Sequence, residues 1–187
     1  MPKVINEDEV FKAVLKVLVT RGYESATTSD MAAAAKIHEA TLFRKYGNKV
    51  GLIERAIEQQ LSKAPLSKVV YTGELQADLY AILDAYVATN EEYGEIMPML
   101  FLEIPRYPEL RNVLLTPMSN IQGLVNIIAR YQSEGLLKNE PPLTSVIVLI
   151  APILFIQMYR RINMELPSPH IDLHDYVEAF LNGRRPR

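Results

Sequence analysis

Arg44 and Lys45 sit in the one stretch of this sequence whose residue types and spacing suit recognition chemistry, Thr27 to Lys49 (TTSDMAAAAKIHEATLFRKYGNK). A guanidinium and an ammonium suit phosphate oxygens or the acceptor edge of guanine. Two short helices must present them. The first is predicted from about Thr27 to Ala35. Thr27 can serve as its N-cap, with Asp30 three residues on to complete a capping-box-like pair. Met31, Ala34 and Ala35 recur at helical spacing as a small buried face. The second runs from near His38 to about Tyr46, with Leu42 and Tyr46 inward. Ala40, Thr41, Phe43, Arg44 and Lys45 are left facing outward or sideways. Two helices joined by a turn of three or four residues make a helix-turn-helix. Its second helix lies in the DNA major groove with its N-terminal residues at base edges. The same pattern also fits a plain helical hairpin in an all-α core.

The residues Gly22-Tyr23, Thr27, Asp30-Met31-Ala32, Ala35, Thr41-Leu42-Phe43-Arg44-Lys45-Tyr46, Lys49 and Leu52 carry a resemblance. The chain resembles the N-terminal domain of TetR-type (tetracycline-repressor family) regulators over roughly residues 6–55. Beyond that the resemblance rests on length and helical layout. It implies an all-helical homodimer that represses a promoter until a small ligand binds the C-terminal domain. It implies DNA contacts from Thr27, Thr41, Arg44 and Lys45, and from Lys49 against a phosphate. Lys36, His38, Ala40, Phe43 and Tyr46 complete the expected DNA face. The sequence departs from the family pattern at two positions. Lys36 stands before Ile37 where Gly is usual, and a left-handed conformation there costs Lys roughly 1 kcal/mol more than Gly. His38 stands where Ser or Thr usually caps the recognition helix. Neither change removes a basic contact, and Lys36 adds one.

The whole chain bounds the alternatives. Its 187 residues suffice for one or two domains with a real core. Absence of Cys excludes disulfides, thiolate metal sites and Cys nucleophiles. The first twenty residues carry acids and a helical stripe rather than a signal pattern. The apolar run Val146–Ile156 is expected to be too short for a membrane span, so a cytoplasmic protein is expected. The net charge is −2, which argues against a generally sticky nucleic-acid binder. Residues 36–55 nevertheless hold five basic against two acidic groups, and residues 61–187 hold 11 against 14. A basic patch on an acidic body suits a protein that touches DNA at one end.

Taken in order, the chain reads as all-α. Asn6 caps a helix, Ile5 and Val10 can form a hydrophobic staple, and Gly22 ends that helix. Asn48 caps the next, which runs to about Leu61 and closes at Ala64-Pro65. Residues 65–72 read as a loop. Helical stripes follow through Leu75–Tyr86, a short apolar element Ile96–Leu102, Leu110–Tyr131 with a break at Pro117, and Val146–Ile156 with a bend at Pro152. The last helix spans about Asp172 to Asn182, and the tail 183–187 reads as disordered. The expected organisation is a DNA-binding domain at 1–50, a linking helix at 48–62, and a ligand-binding and dimerisation domain over 51–187.

The body offers little catalytic chemistry. His170 and His174 are four apart beside Asp172 and Asp175, but Pro167 and Pro169 put His170 at or before a helix start. No metal or other cofactor is expected. No nucleophile–base set or glycine-rich phosphate loop stands out, so the chain is not expected to be an enzyme. Tyr80, Tyr86, Met97, Met99, Phe101, Met118, Tyr131, Phe155, Met158 and Tyr159 pack a core or line a cavity for a mostly apolar ligand; the resemblance favours the cavity. The helix over 146–156 is apolar nearly all round, which suggests one face in the core and one against another subunit. Val146, Ile150, Leu154, Tyr176 and Phe180 are the expected dimer contacts. The expected partners are double-stranded operator DNA, a small hydrophobic effector and a second copy of the chain. The rival reading is a helical protein-interaction module that binds no DNA.

Overall fold

Asn6 opens the first helix by accepting a hydrogen bond from the Asp8 N–H, and Glu7, Asp8 and Glu9 favour the positive helix end. The computed structural model describes residues 6–161 and 170–185. The proposed Ile5 staple lies outside them. Nine α-helices occur among the described residues: α1 Glu7–Ser25, α2 Thr28–Ala34, α3 Glu39–Tyr46, α4 Lys49–Leu61, α5 Leu75–Tyr93, α6 Ile96–Glu103, α7 Leu115–Ser133, α8 Pro142–Arg161 and α9 Leu173–Asn182. Two 3-10 turns, Pro65–Lys68 and Pro108–Leu114, join them. No strand occurs among the described residues, so the all-α class holds.

The helices group into two units that are not consecutive in the chain. The first is Met1–Lys63 with Glu95–Pro117; the second is Ala64–Gly94 with Met118–Arg187. In the first unit, α1 packs along α4 and beside α2, and α3 packs on α2 and α4. Phe11, Val14 and Leu18 of α1 meet Met31, Leu42, Leu52, Ile53 and Ile57 in a core closed to solvent. Each such side chain contributes roughly 1.5–3 kcal/mol by leaving water. The segment 95–117 belongs here too. α6 packs on α1 and the 108–114 turn packs on α4. The rings of Tyr23 and Tyr107 meet edge to face at 4.8 Å, and the Tyr23 hydroxyl donates to Glu109 at 3.3 Å. The apolar element at 96–102 is therefore part of the N-terminal unit's packing, which its composition alone does not reveal.

In the second unit, α5, α7, α8 and α9 enclose Leu79, Ile82, Leu83, Ile128, Tyr131, Leu149, Ile153, Val177, Phe180 and Leu181. Residues 65–72 are not plain loop, since Pro65–Lys68 is a turn of 3-10 helix that buries Leu66. One charge lies inside. Asp78 is 1 % exposed. Burial alone would raise its pKa, but hydrogen bonds from the Thr72 N–H and hydroxyl and the Tyr131 hydroxyl hold it below the usual value. A buried carboxylate with this many donors is satisfied and pins the start of α5 to α7.

The tail expectation is corrected. Arg184 stays largely inside, donating to Glu140 at 2.8 Å, stacking over Phe180, and its carbonyl accepts from Lys138 N–H. Residues 183–185 are thus fastened to the α7–α8 connection; 186–187 lie outside the described residues.

The expectation for α8 is corrected as well. Its apolar stretch extends beyond 146–156 to a helix of 20 residues, long and apolar enough by length and composition to cross a membrane. Val146, Leu149, Ile153 and Ile156 are buried and place one side of α8 in the core of its unit. Leu143, Ile147, Val148, Phe155 and Met158 on the remaining surface are exposed.

Candidate nucleic-acid interface

The helix pair at 27–46 is fixed by local bonds before any core is considered. The Thr27 hydroxyl accepts from the Asp30 N–H at 3.1 Å, and the Asp30 carboxylate accepts from the Thr27 N–H at 3.2 Å. This is the expected capping box. Arg21 adds an ion pair to Asp30 at 2.7 Å. The buried face of α2 is Met31 and Ala32. Ala34 is exposed and Ala35 half-buried, which corrects the predicted face. The Lys36 N–H donates to the Ala33 carbonyl and the Ile37 N–H to the Ala32 carbonyl, both at 3.1 Å. That is the Schellman pattern, and it puts Lys36 at the left-handed position, with φ +56°. His38 is the N-cap of α3 but makes no capping hydrogen bond with its side chain.

Two sides of α3 then have different fates. Leu42 is buried, Glu39 accepts from the Thr28 hydroxyl at 2.5 Å, and the Tyr46 hydroxyl donates to Glu7 at 3.0 Å. The Tyr46 ring meets Phe11 edge-on at 5.4 Å. The Lys45 ammonium also bonds Glu7. That bond lowers the Glu7 pKa and raises that of Lys45. This side ties α3 to α1 and α2. On the other side Ala40, Phe43 and Arg44, at i, i+3 and i+4, are exposed. Among the described residues Arg44 has no ion-pair partner. Thr41 is half-buried between the two sides.

The next helix is set close behind. Asn48 caps α4 by accepting from the Gly51 N–H at 2.8 Å. A Cβ at Gly51 would lie 2.6 Å from the Tyr46 carbonyl oxygen, so glycine permits this approach of α3 and α4. Lys49 turns inward. Its ammonium donates to the Tyr23 carbonyl and sits 4.2 Å from the centre of the Tyr23 ring. Burial pushes its pKa down. The Tyr23 carbonyl belongs to the last turn of α1, where carbonyls lack helical partners and attract cations.

The expected DNA residues therefore divide by present engagement. Lys36, His38, Ala40, Phe43 and Arg44 are exposed. Thr27, Lys45, Tyr46 and Lys49 already hold intramolecular partners. Nothing in the residue pattern signals the Glu7 contacts, because Glu7 reads as an ordinary first-turn acid.

The expected effector and dimer residues are more scattered. Met97, Met99 and Phe101 lie in the first unit and the other seven cavity candidates in the second. Phe101, Met118, Phe155 and Met158 are exposed. Tyr131 is fully buried with its hydroxyl committed to Asp78, a core role. Tyr86 is buried, and Tyr80 and Tyr159 are half-buried. Val146 and Phe180 are 1 % and 4 % exposed. They pack in the protomer's core, whereas Ile150, Leu154 and Tyr176 are half-buried. The Tyr80 hydroxyl meets the His174 ring, and among the described residues no cluster of His, Asp and Glu could hold a metal.

Residues 10–56 match the family described as bacterial regulatory proteins, tetR family. The uncharacterized HTH-type transcriptional regulator YvkB of Bacillus subtilis strain 168 is 29% identical over 130 residues, covering 69% of each chain. A TetR family transcriptional regulator from Pseudomonas syringae pv. tomato superposes with a TM-score of 0.71 over 97% of this chain and 95% of its own, at 18% identity. The flavonoid-responsive regulator FrrA superposes with a TM-score of 0.68 over 96% and 97%, also at 18% identity. At such identities the two structures speak for the fold alone.

Proposed function

We propose that this chain, whose residues 10–56 match the family of bacterial regulatory proteins, tetR family, is a transcriptional regulator rather than an enzyme, and a ligand-responsive repressor. It binds operator DNA as a homodimer and is released by a small, mostly apolar effector. The observation that carries the DNA part is the division of α3. One side is spent on α1 and α2, while Ala40, Phe43 and Arg44 are presented outward from α3. Small Ala40 permits close approach to a groove floor, and Arg44 suits the paired acceptors of guanine or a phosphate.

The dimer part is supported by the exposed apolar side of α8. Leu143, Ile147, Val148, Phe155 and Met158 are all exposed, and grouped exposed apolar side chains mark interaction surfaces. A symmetric dimer would offer two copies of α3 to successive major grooves, roughly 34–36 Å apart. An effector that favours a different spacing would lower operator affinity, with a coupling of about 1–3 kcal/mol. The apolar character of the effector is supported by Tyr80, Tyr86 and Tyr159 of the second unit, none of which is charged. The test is a salt-titrated mobility-shift assay on the DNA upstream of the chain's own gene. Wild type should shift it specifically and Arg44→Ala should not. Equal binding of competitor DNA by both proteins would instead favour the protein-interaction reading.

A further inference from the structure

Phe43 is 49 % exposed in the middle of a helix whose inward positions are well filled. Leu42 and Tyr46 supply the apolar contacts of α3 to its own domain, and Phe43 is not needed for them. A half-exposed phenyl ring loses roughly half of the stabilisation that full burial would give. On the same side stand Ala40, with a methyl group alone, and Arg44. Lys45 is drawn to Glu7 and Lys49 to Tyr23, so the outward side of α3 is less charged than its sequence suggests. It combines one guanidinium with adjoining apolar surface. Phe43 and Leu42 also border a small hollow with Thr28, Asn48 and Leu52.

In the major groove, one feature of the base edges is apolar: the C5 methyl group of thymine. Ala and Phe side chains recognise it by contact. We infer that Phe43 is a specificity-determining residue that packs against a thymine methyl in each operator half-site, with Ala40 leaving room for the approach. The inference rests on the DNA-binding reading above and refines it from a general groove contact to one chemical group on one base. Arg44 reports hydrogen-bond acceptors; Phe43 reports a methyl group, which no hydrogen-bonding side chain does.

The experiment is a methyl scan of an operator defined by footprinting with the full chain. Each thymine is replaced in turn by deoxyuridine, which removes only the C5 methyl. One thymine per half-site should then cost about fourfold in affinity, the factor expected for losing one buried methyl-sized contact. In Phe43→Ala the same replacement should cost nothing further. Phe43→Leu, which keeps an apolar side chain and serves as the check on folding, should retain part of the effect. At that position a C·G pair should bind weakly, and 5-methylcytosine should restore part of the affinity, since it returns the methyl without the thymine O4. If wild type binds the operator specifically but every deoxyuridine effect is the same in wild type and Phe43→Ala, the methyl contact is refuted and the DNA-binding reading stands. If wild type shows no sequence preference at all, the DNA-binding reading fails and takes this inference with it.

Discussion

Replacing Lys36 with Gly should make the protein more stable and at the same time a weaker DNA binder. Lys36 holds φ +56° at the end of α2, where two backbone hydrogen bonds of 3.1 Å, Lys36 to Ala33 and Ile37 to Ala32, close the turn into α3. The left-handed conformation costs an L-residue about 1–2 kcal/mol. Glycine avoids that cost but gives back about 0.5–1 kcal/mol through the larger entropy of its unfolded chain. The net gain is therefore about 0.5–1 kcal/mol, with the α2–α3 geometry unchanged. For a chain of this size about 1 kcal/mol shifts Tm by about 2–4 °C, so the variant should melt about 1–4 °C higher. The side chain is exposed just before α3, and the DNA-binding proposal expects its ammonium to meet a phosphate. Its loss should lower the salt dependence of operator binding by about one ion per half-site. Lys36→Ala separates the two effects, because it loses the charge but keeps the strained Cβ. Thermal melts of the three proteins, with salt titrations of DNA binding, are the assay. If Gly melts no higher than Ala, the strain argument is wrong. If both variants keep the wild-type salt slope, Lys36 does not touch the backbone of DNA.

Three more outcomes follow from named contacts. Glu7→Gln should release Lys45 while leaving an acceptor for Tyr46; stability should fall by less than about 1 kcal/mol, as for exposed ion pairs, and DNA affinity measured by fluorescence anisotropy at low salt should rise. Glu140 should show in the acid limb of stability. Burial favours its neutral form, but hydrogen bonds from Lys138, Ser145 and Arg184 override that and bring its pKa from 4.5 to about 2. Its contribution is thus fully present above pH 4.5 and lost as the pH falls towards 2; urea melts of Glu140→Gln should show a flatter decline across that window, and an unchanged decline would mean the Arg184 latch is not held by charge. Phe155→Glu, on the exposed side of α8, should yield a folded monomer in sedimentation. Val146→Glu on the buried side should lose its helical circular dichroism instead; a Phe155→Glu protein that sediments as wild type would remove α8 from the interface.

Much of the helix-turn-helix was legible because its determinants are local. Thr27 with Asp30, the Lys36-Ile37 turn and Asn48 each fix backbone within a few residues, and such signals need no knowledge of the rest of the chain. The α3 surface was legible in outline, since helical spacing separates Leu42 from Ala40, Phe43 and Arg44. What escaped depends on partners far apart in sequence. Glu7 and Lys45 are 38 residues apart, Tyr131 and Asp78 are 53 apart, and Arg184 and Glu140 are 44 apart; nothing in the types or spacing of these residues announces a pairing. The exposed and buried sides of α8 were not separable either. A helix apolar on every face has no periodic contrast, so Val146 and Phe155 look alike until the packing of α5 and α9 is known. The same holds for the ten cavity candidates, whose Met and aromatic side chains suit a core, a surface and a pocket equally well.

The most direct test of the account is selection of bound duplexes from a random pool by wild type and by Arg44→Ala, under matched salt. The account predicts that wild type enriches a two-fold symmetric sequence whose half-sites are centred about 10 base pairs apart or a multiple of that, and that Arg44→Ala loses preference at a position within each half-site. Recovery of no common sequence by wild type, or of the same sequence with the same preferences by both proteins, would contradict the assignment of α3 as the helix that reads DNA.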